Sequence, residues 1–265
     1  MTSELFLQSV RRLSEQIPMV HCLTNDVVTN FTANVLLAVG ASPAMVVARE
    51  EIDAFVPLAN ALLINVGTLT SSQLVAMELA VKSAQENKVP WVLDPVAVGA
   101  LSFRTDFCRH LLQFQPAVIR GNASEIAVLA GQDVFGRGTD SVLSSSDVLD
   151  SAKAVAQKFH TVVAMTGETD YVTDGKITYA LNNGHIWLTK VTGAGCALSA
   201  VVAAYCAVCA SPVDAALCAL SHMALAGENA AAQSHGVGSF AVSLLDCLQN
   251  LLSSGCKERL ACQKI

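Results

Sequence analysis

Apolar positions in this chain gather into short runs separated by stretches with helical spacing. Six β-rich runs, at 19–23, 44–47, 61–65, 90–93, 117–119 and 161–165, alternate with helical patterns at about 27–39, 50–58, 71–87, 101–113, 123–130 and 147–159. The runs are predominantly apolar with no polar alternation, as strands buried on both faces are. Strands of this kind alternating with helices predict an α/β fold, a doubly wound, mainly parallel central sheet with helices on both faces. Three shorter runs, at 171–173, 177–181 and 185–187, are joined by the turns Asp174-Gly175 and Asn182-Asn183-Gly184 and predict an antiparallel addition at one edge. Three helices, at about 195–210, 213–233 and 239–253, close the chain. The segment 131–146 is the most irregular connection, with Ser144, Ser145 and Ser146 as candidate caps for the next helix. No linker, repeat or low-complexity stretch divides residues 1–265, which read as one domain.

Composition narrows the function classes. Hydrophobic residues make up 52% and charged residues 14%, enough apolar surface for a sizeable core. The net charge is −6 and the only basic pair is Arg11-Arg12, which argues against a nucleic-acid partner. Glu4, Arg11, Arg12 and Glu15 interrupt the first segment, so it is not expected to be a signal peptide. The longest apolar run, 196–210, stops at Ser211-Pro212-Val213-Asp214. It is shorter than the roughly 20 residues a membrane span needs, so it predicts a buried helix and no membrane association. Nine cysteines form no framework spacing. Cys206 and Cys209 make a C-x-x-C inside a helical pattern and are expected to be buried free thiols in the cytoplasm. His21 and His222 lie in apolar runs and read as packed residues; no histidine pair has zinc-ligand spacing.

The chemistry gathers at the strand exits. In open parallel sheets, ligands bind beyond the carboxyl ends of the strands. Here the exits carry Thr24-Asn25-Asp26, Asn65-Val66-Gly67, Asp94-Pro95, Arg120-Gly121-Asn122 with Glu125 one turn on, and Thr166-Gly167. Gly193-Ala194-Gly195-Cys196 then opens the small-residue helix. Two glycines permit a sharp turn, and the helix start adds unpaired N–H groups and a positive dipole end, a setting for a phosphate. Cys196 at that helix start is expected to be biased toward thiolate. Together these groups suit phosphoryl transfer: Asp94 and Glu125 as carboxylates for a metal, Arg120 and the 193–196 amides for phosphate charge, Cys196 for the acceptor hydroxyl. Taken singly, Asn122 and Glu125 also fit a capping box, Asp94 could merely end a strand, and Met45 could be core. No Walker A sequence occurs, and Leu198 stands where a dinucleotide fingerprint needs its third glycine.

These residues resemble a known family. Asn122-Ala123-Ser124-Glu125 matches the N-x-x-E metal motif of the ribokinase-like kinases, and Gly193-Ala194-Gly195-Cys196 matches their G-x-G-D motif with Cys in place of Asp. That Cys is typical of the hydroxyethylthiazole kinases of thiamine salvage. Val20-His21-Cys22-Leu23-Thr24-Asn25, Asn30-Phe31-Thr32-Ala33-Asn34, Gly40-Ala41-Ser42-Pro43-Ala44-Met45, Leu93-Asp94-Pro95-Val96 and Gly238-Ser239-Phe240 agree with the same branch. The resemblance implies a homotrimer with interfacial sites that uses ATP and Mg²⁺ to phosphorylate the primary alcohol of 4-methyl-5-(2-hydroxyethyl)thiazole. It implies that Asn25, Met45 and Gly67 line the thiazole pocket beside Gly193 and Cys196. It further implies that Arg120, Thr166 and Asn122 meet ATP, and that Asp94 and Glu125 serve the metal.

The chain departs from the family at Ala194, where Thr or Ser is frequent, and at Val237, where Pro is common. Other readings remain open at the level of sequence. They are a ribokinase-like kinase of another small heterocyclic alcohol, a hydrate dehydratase on the same fold, or a weakly active thiazole- or nucleotide-binding protein.

Overall fold

The computed structural model describes residues 1–132, 143–253 and 259–265. The elements found among them run α1 (Ser3–Gln16), β1 (Met19–Leu23), α2 (Thr29–Ala38), β2 (Ser42–Ala44), α3 (Arg49–Phe55), β3 (Ala61–Asn65), α4 (Ser71–Glu86), β4 (Trp91–Asp94), α5 (Ser102–Leu111), β5 (Val118–Asn122), α6 (Ala123–Leu129), α7 (Leu149–Phe159), β6 (Val162–Thr166), β7 (Asp170–Thr173), β8 (Thr178–Leu181), α8 (Ala194–Val208), α9 (Pro212–Gln233), α10 (Val237–Gln249) and β9 (Cys262–Lys264). They build one sheet in the order β2-β1-β3-β4-β5-β6-β7-β8-β9. Pairing is parallel from β2 to β6 and antiparallel from β6 to β9, as the pattern predicted. The chain goes from β1 outward to β2, then returns to β3 on the other side of β1. That reversal opens a crevice at the carboxyl ends of β1 and β3, where Asn25 and Asn65 lie.

The continuous apolar strands follow from burial on both faces. All five residues of β3 are buried. Val20, Cys22, Leu63 and Val92 point into the core formed with α1, α2, α8, α9 and α10. Their neighbours Leu23, Leu62, Ile64 and Leu93 point to the opposite core, with α4 to α7. Helix α8 packs on β1, β3 and β4 and is covered in turn by α1, α2 and α9. It can sit between two layers because its positions are small: Ala197, Ala200, Ala203 and Ala204 are fully buried. The apolar run at 196–210 is therefore a buried helix. Among the described residues no helix is long and apolar enough to cross a membrane.

Several expectations need correction. The second strand is not at 44–47 but at Ser42–Ala44. Pro43 lacks an N–H, which only an edge strand tolerates, and beyond Ala44 the Val46 carbonyl turns to His21 Nε2 at 2.7 Å, leaving the ladder. Residues 185–187 do not form a strand. Gly184 takes φ +129 and its amide donates to Glu228 Oε1 at 3.0 Å, which holds the chain off the sheet edge. His185 then caps a 3₁₀ turn at Ile186–Lys190, and β9 pairs with β8 instead. The helix after the irregular segment starts at Leu149, after a 3₁₀ turn at Ser146–Val148; Ser144 Oγ accepts from the Asp147 amide. Residues 133–142 of that segment lie outside the described residues. Cys206 and Cys209 are free, as expected, but only partly buried.

Candidate active site

The two glycines of the anion loop meet different surroundings. Gly193 caps α8 at φ +88, a conformation that disfavours side chains, and a Cβ there would lie 2.8 Å from Val28 Cγ1. A Cβ on Gly195 would lie 2.9 Å from Arg120 Nη1. The Ala194 amide donates to the Val191 carbonyl at 3.2 Å. The amides of Gly195 and Cys196 follow at the positive end of the 15-residue helix α8, ahead of any intrahelical acceptor. Arg120 reaches this loop from β5 and is fixed on its other side by Thr166, whose Oγ1 accepts from Nη2 at 2.7 Å. Arg120 Nε is buried without a hydrogen-bond partner. A guanidinium and a helix start thus converge on one point, an arrangement whose charge and donors suit a phosphate.

Two carboxyl groups lie beneath it. Asp94 ends β4 and is buried; its Oδ2 accepts from Asn65 Nδ2 at 2.6 Å, while Oδ1 has no partner. Burial raises its pKa, against the pull of Arg120. Glu125 forms the capping box: its amide donates to Asn122 Oδ1 at 2.9 Å and its Oε2 accepts from the Asn122 amide at 2.8 Å. Its Oε1 accepts from the Ala97 amide at 2.9 Å, which pins the turn after β4. Burial, and then the charge of Asp94, push the Glu125 carboxyl up to about 7. Two buried, mutually repelling carboxylates with an unpaired oxygen fit a cation. Among the described residues no group of three or more His, Cys, Asp or Glu side chains could hold a metal ion. The pair therefore suits an ion that keeps water and phosphate ligands, as Mg²⁺ does.

A second cluster of buried polar groups is organised around Cys196. Asn25 Nδ2 donates to its sulfur at 3.5 Å and to Asn65 Oδ1 at 2.9 Å. Gly67 is closed against Asn25, since a Cβ there would lie 2.6 Å from Asn25 Nδ2. The expected thiolate bias of Cys196 does not hold: burial, with Asp94 adding repulsion, pushes the thiol up to about 11. The helix start is outweighed by desolvation. Met45 follows β2, half-buried against the core, and makes no polar contact with the others. Sequence reasoning overlooked Asn65, visible only as a polar strand exit, and Asp170. The latter accepts from the Gly167 amide at 3.0 Å; burial pushes its carboxyl up to about 6, with Arg120 pulling back.

His21 and His222 are both buried, as packed residues are. His222 Nδ1 meets Tyr205 Oη at 2.8 Å and its Nε2 donates to the Leu248 carbonyl at 2.9 Å.

The chain is similar to known proteins along most of its length. The hydroxyethylthiazole kinase family model matches residues 10–254. A hydroxyethylthiazole kinase of Leptospira interrogans is 51% identical over 248 residues, 94% of this chain and 93% of its own length. The solved structure of a hydroxyethylthiazole kinase protein from Pyrococcus horikoshii superposes with a TM-score of 0.89 at 37% identity, covering 99% of both chains. The pyridoxal kinase of Bacillus subtilis, solved as an ADP complex, shares the fold at a TM-score of 0.58 and 20% identity, over 78% of this chain and 90% of its own. This chain is a kinase of the ribokinase-like fold and belongs to the hydroxyethylthiazole kinase family.

Proposed function

We propose that the protein transfers the terminal phosphoryl group of ATP to the primary hydroxyl of 4-methyl-5-(2-hydroxyethyl)thiazole, releasing ADP, in cytoplasmic thiamine salvage or biosynthesis. The observation that carries this reading is the position of Cys196. Asn25 touches its sulfur from the acceptor side, while Arg120 closes on its neighbour Gly195 from the phosphate side. Arg120, held by Thr166, and Asn122 bind the triphosphate. Asp94 and Glu125 would hold Mg²⁺, which supplies charge neutralisation on the phosphate oxygens. The amides of the loop Gly193-Ala194-Gly195-Cys196 face the charge of the transferring group. Asn25, Met45, Gly67 and Gly193 line the thiazole pocket, and Cys196 orients the hydroxyl and accepts its proton. In a loose transition state that proton leaves late, so positioning contributes more than basicity.

The working unit in this reading is a homotrimer of one-domain protomers with the thiazole sites between them. Exposed apolar side chains support it: Val27, Leu37, Val47, Ile186, Val237 and Val242 are at least 47% exposed. They lie on or beside α2, β2, the 186–190 turn and α10; α2 touches both β2 and α10, and α10 touches the turn.

The test is to mix the protein with the thiazole and Mg-ATP, with and without EDTA, and weigh the product. A gain of one phosphoryl group that needs both ATP and metal is expected. Thiazole binding without product would overturn the kinase reading in favour of a binding protein. Light scattering should return three times the 27.7 kDa chain mass.

A further inference from the structure

We infer that Asn65 is a positioning residue that locks the carboxylate side of the site to the acceptor side through the orientation of one amide. It sits at the carboxyl end of β3, level with Asp94 on β4 in the parallel register. Its Nδ2 donates to Asp94 Oδ2 at 2.6 Å. Its Oδ1 accepts from Asn25 Nδ2 at 2.9 Å and from the Gly67 amide at 3.0 Å. All three side chains are buried, with no more than 5% exposed, so the two bonds between side chains are made away from competing water.

Polarity decides the arrangement. The Gly67 N–H can only donate, so the oxygen of Asn65 must face it, and the nitrogen must then face Asp94. With that oxygen fixed, Asn25 must present its NH₂ group inward. One N–H of that group goes to Asn65 and the other to Cys196 Sγ at 3.5 Å. The carbonyl of Asn25 is thereby turned away from both. Asn65 itself touches neither phosphate nor alcohol in the proposed arrangement; it acts through Asn25 and Asp94 and, directly, on the Cys196 thiol beside it. This inference rests on the site assignment above, with Asn25 on the acceptor side and Asp94 on the metal side.

Two substitutions separate the two ends of the amide. Asn65→Asp keeps the oxygen that faces Gly67 and Asn25 but turns a second carboxylate on Asp94. Asn65→Leu has similar volume and removes both ends, leaving the Gly67 amide and Asp94 without their partner. Residues that orient a ligating carboxylate are worth about 10- to 100-fold in activity when removed, and both variants should lose kcat by that order. Only Asn65→Leu should raise KM for the thiazole alcohol, by about tenfold, the equivalent of one misdirected hydrogen bond. In an Asn25→Ala background, Asn65→Leu should then raise that KM by much less than it does alone, because the amide it orients is gone. Circular dichroism and thermal melts establish that each variant is folded; if Asn65→Leu is not, Asn65→Ser replaces it in the cycle. Equal KM increases for Asn65→Asp and Asn65→Leu, or fully multiplicative effects with Asn25→Ala, would overturn the inference. Absence of thiazole phosphorylation by the unsubstituted protein would instead overturn the function it rests on.

Discussion

Gly195 is held against Arg120 so closely that a methyl group on it would stand 2.9 Å from Nη1. The contact joins the head of α8 to the middle of β5, so the anion loop and its cation are set by one close approach. Gly195→Ala isolates it. Alanine is the better helix former by about 1 kcal/mol, so α8 itself gains. The added methyl must displace a guanidinium whose other end is bonded to Thr166 at 2.7 Å. The melting temperature should therefore stay level or rise, while KM for ATP increases by roughly tenfold, the equivalent of one displaced charge-assisted hydrogen bond. Steady-state kinetics alongside a thermal melt check it; wild-type KM for ATP would show that Arg120 gives way without loss.

Cys196 should behave as a poor base in a good place. With the thiol pushed up to about 11, only about one molecule in ten thousand carries a thiolate at pH 7. If proton transfer to it matters, kcat should rise between pH 7 and 9 by up to about tenfold per pH unit. Cys196→Asp offers a group ionised throughout that range, so it should retain activity with a flat profile. Cys196→Ala should lose about 10²-fold in kcat. A flat profile in the unsubstituted enzyme would assign Cys196 to positioning alone.

The parts of the fold legible in the sequence were those that depend on local pattern. β3 reads correctly because burial on both faces makes its run of four apolar residues, Ala61 to Ile64, unmistakable ahead of Asn65. α8 reads correctly because its small residues answer to packing between two layers. The misread segments are governed by distant partners. Glu228, on α9, takes the amide of Gly184 and turns 185–187 away from the sheet. His21, on β1, takes the Val46 carbonyl and shortens β2. The same division runs through the candidate site. Gly193, Gly195 and Arg120 suit a phosphate by residue type and position at the strand exits. The state of Cys196 does not follow from its place at a helix start, because burial and Asp94 decide it. Asn65 was visible as a polar strand exit, but its three hydrogen bonds arise only when β1, β3 and β4 lie side by side.

Glu125 should make the metal requirement depend on pH. Its carboxyl, pushed up to about 7, holds a proton at lower pH, and a cation must displace it. The Mg²⁺ concentration for half-maximal rate should therefore rise as pH falls from 8 to 6, approaching about tenfold per pH unit below 7. Glu125→Gln should abolish that dependence and lower the rate. It also turns an NH₂ group on one of the two backbone amides that Glu125 now accepts from, those of Asn122 and Ala97. A stability loss of about 1–3 kcal/mol should accompany it. Rate measurements across Mg²⁺ concentration at several pH values, paired with melts of both proteins, check these outcomes.

His222 should make the fold itself weaker in mild acid. The ring is buried between α8 and α10, with Nε2–H donating to the Leu248 carbonyl at 2.9 Å. Nδ1 is then the acceptor for Tyr205 Oη at 2.8 Å, so both nitrogens are committed in the neutral form. Burial lowers its pKa from 6.5 to about 4. Between those values the unfolded chain takes up a proton that the folded one refuses, so stability is complete above pH 6.5 and falls as pH drops toward 4. The contribution lost by pH 5 is about 2 kcal/mol. Glu125 and Asp170, both raised, act in the opposite sense over part of this range, so the informative quantity is a difference. His222→Gln keeps a polar side chain at the position and does not titrate. The unfolding free energy of the unsubstituted protein, taken relative to this variant, should fall by about 2 kcal/mol between pH 7.5 and 5 in urea titrations. An unchanged difference would mean that His222 accepts its proton inside the fold at its ordinary pKa.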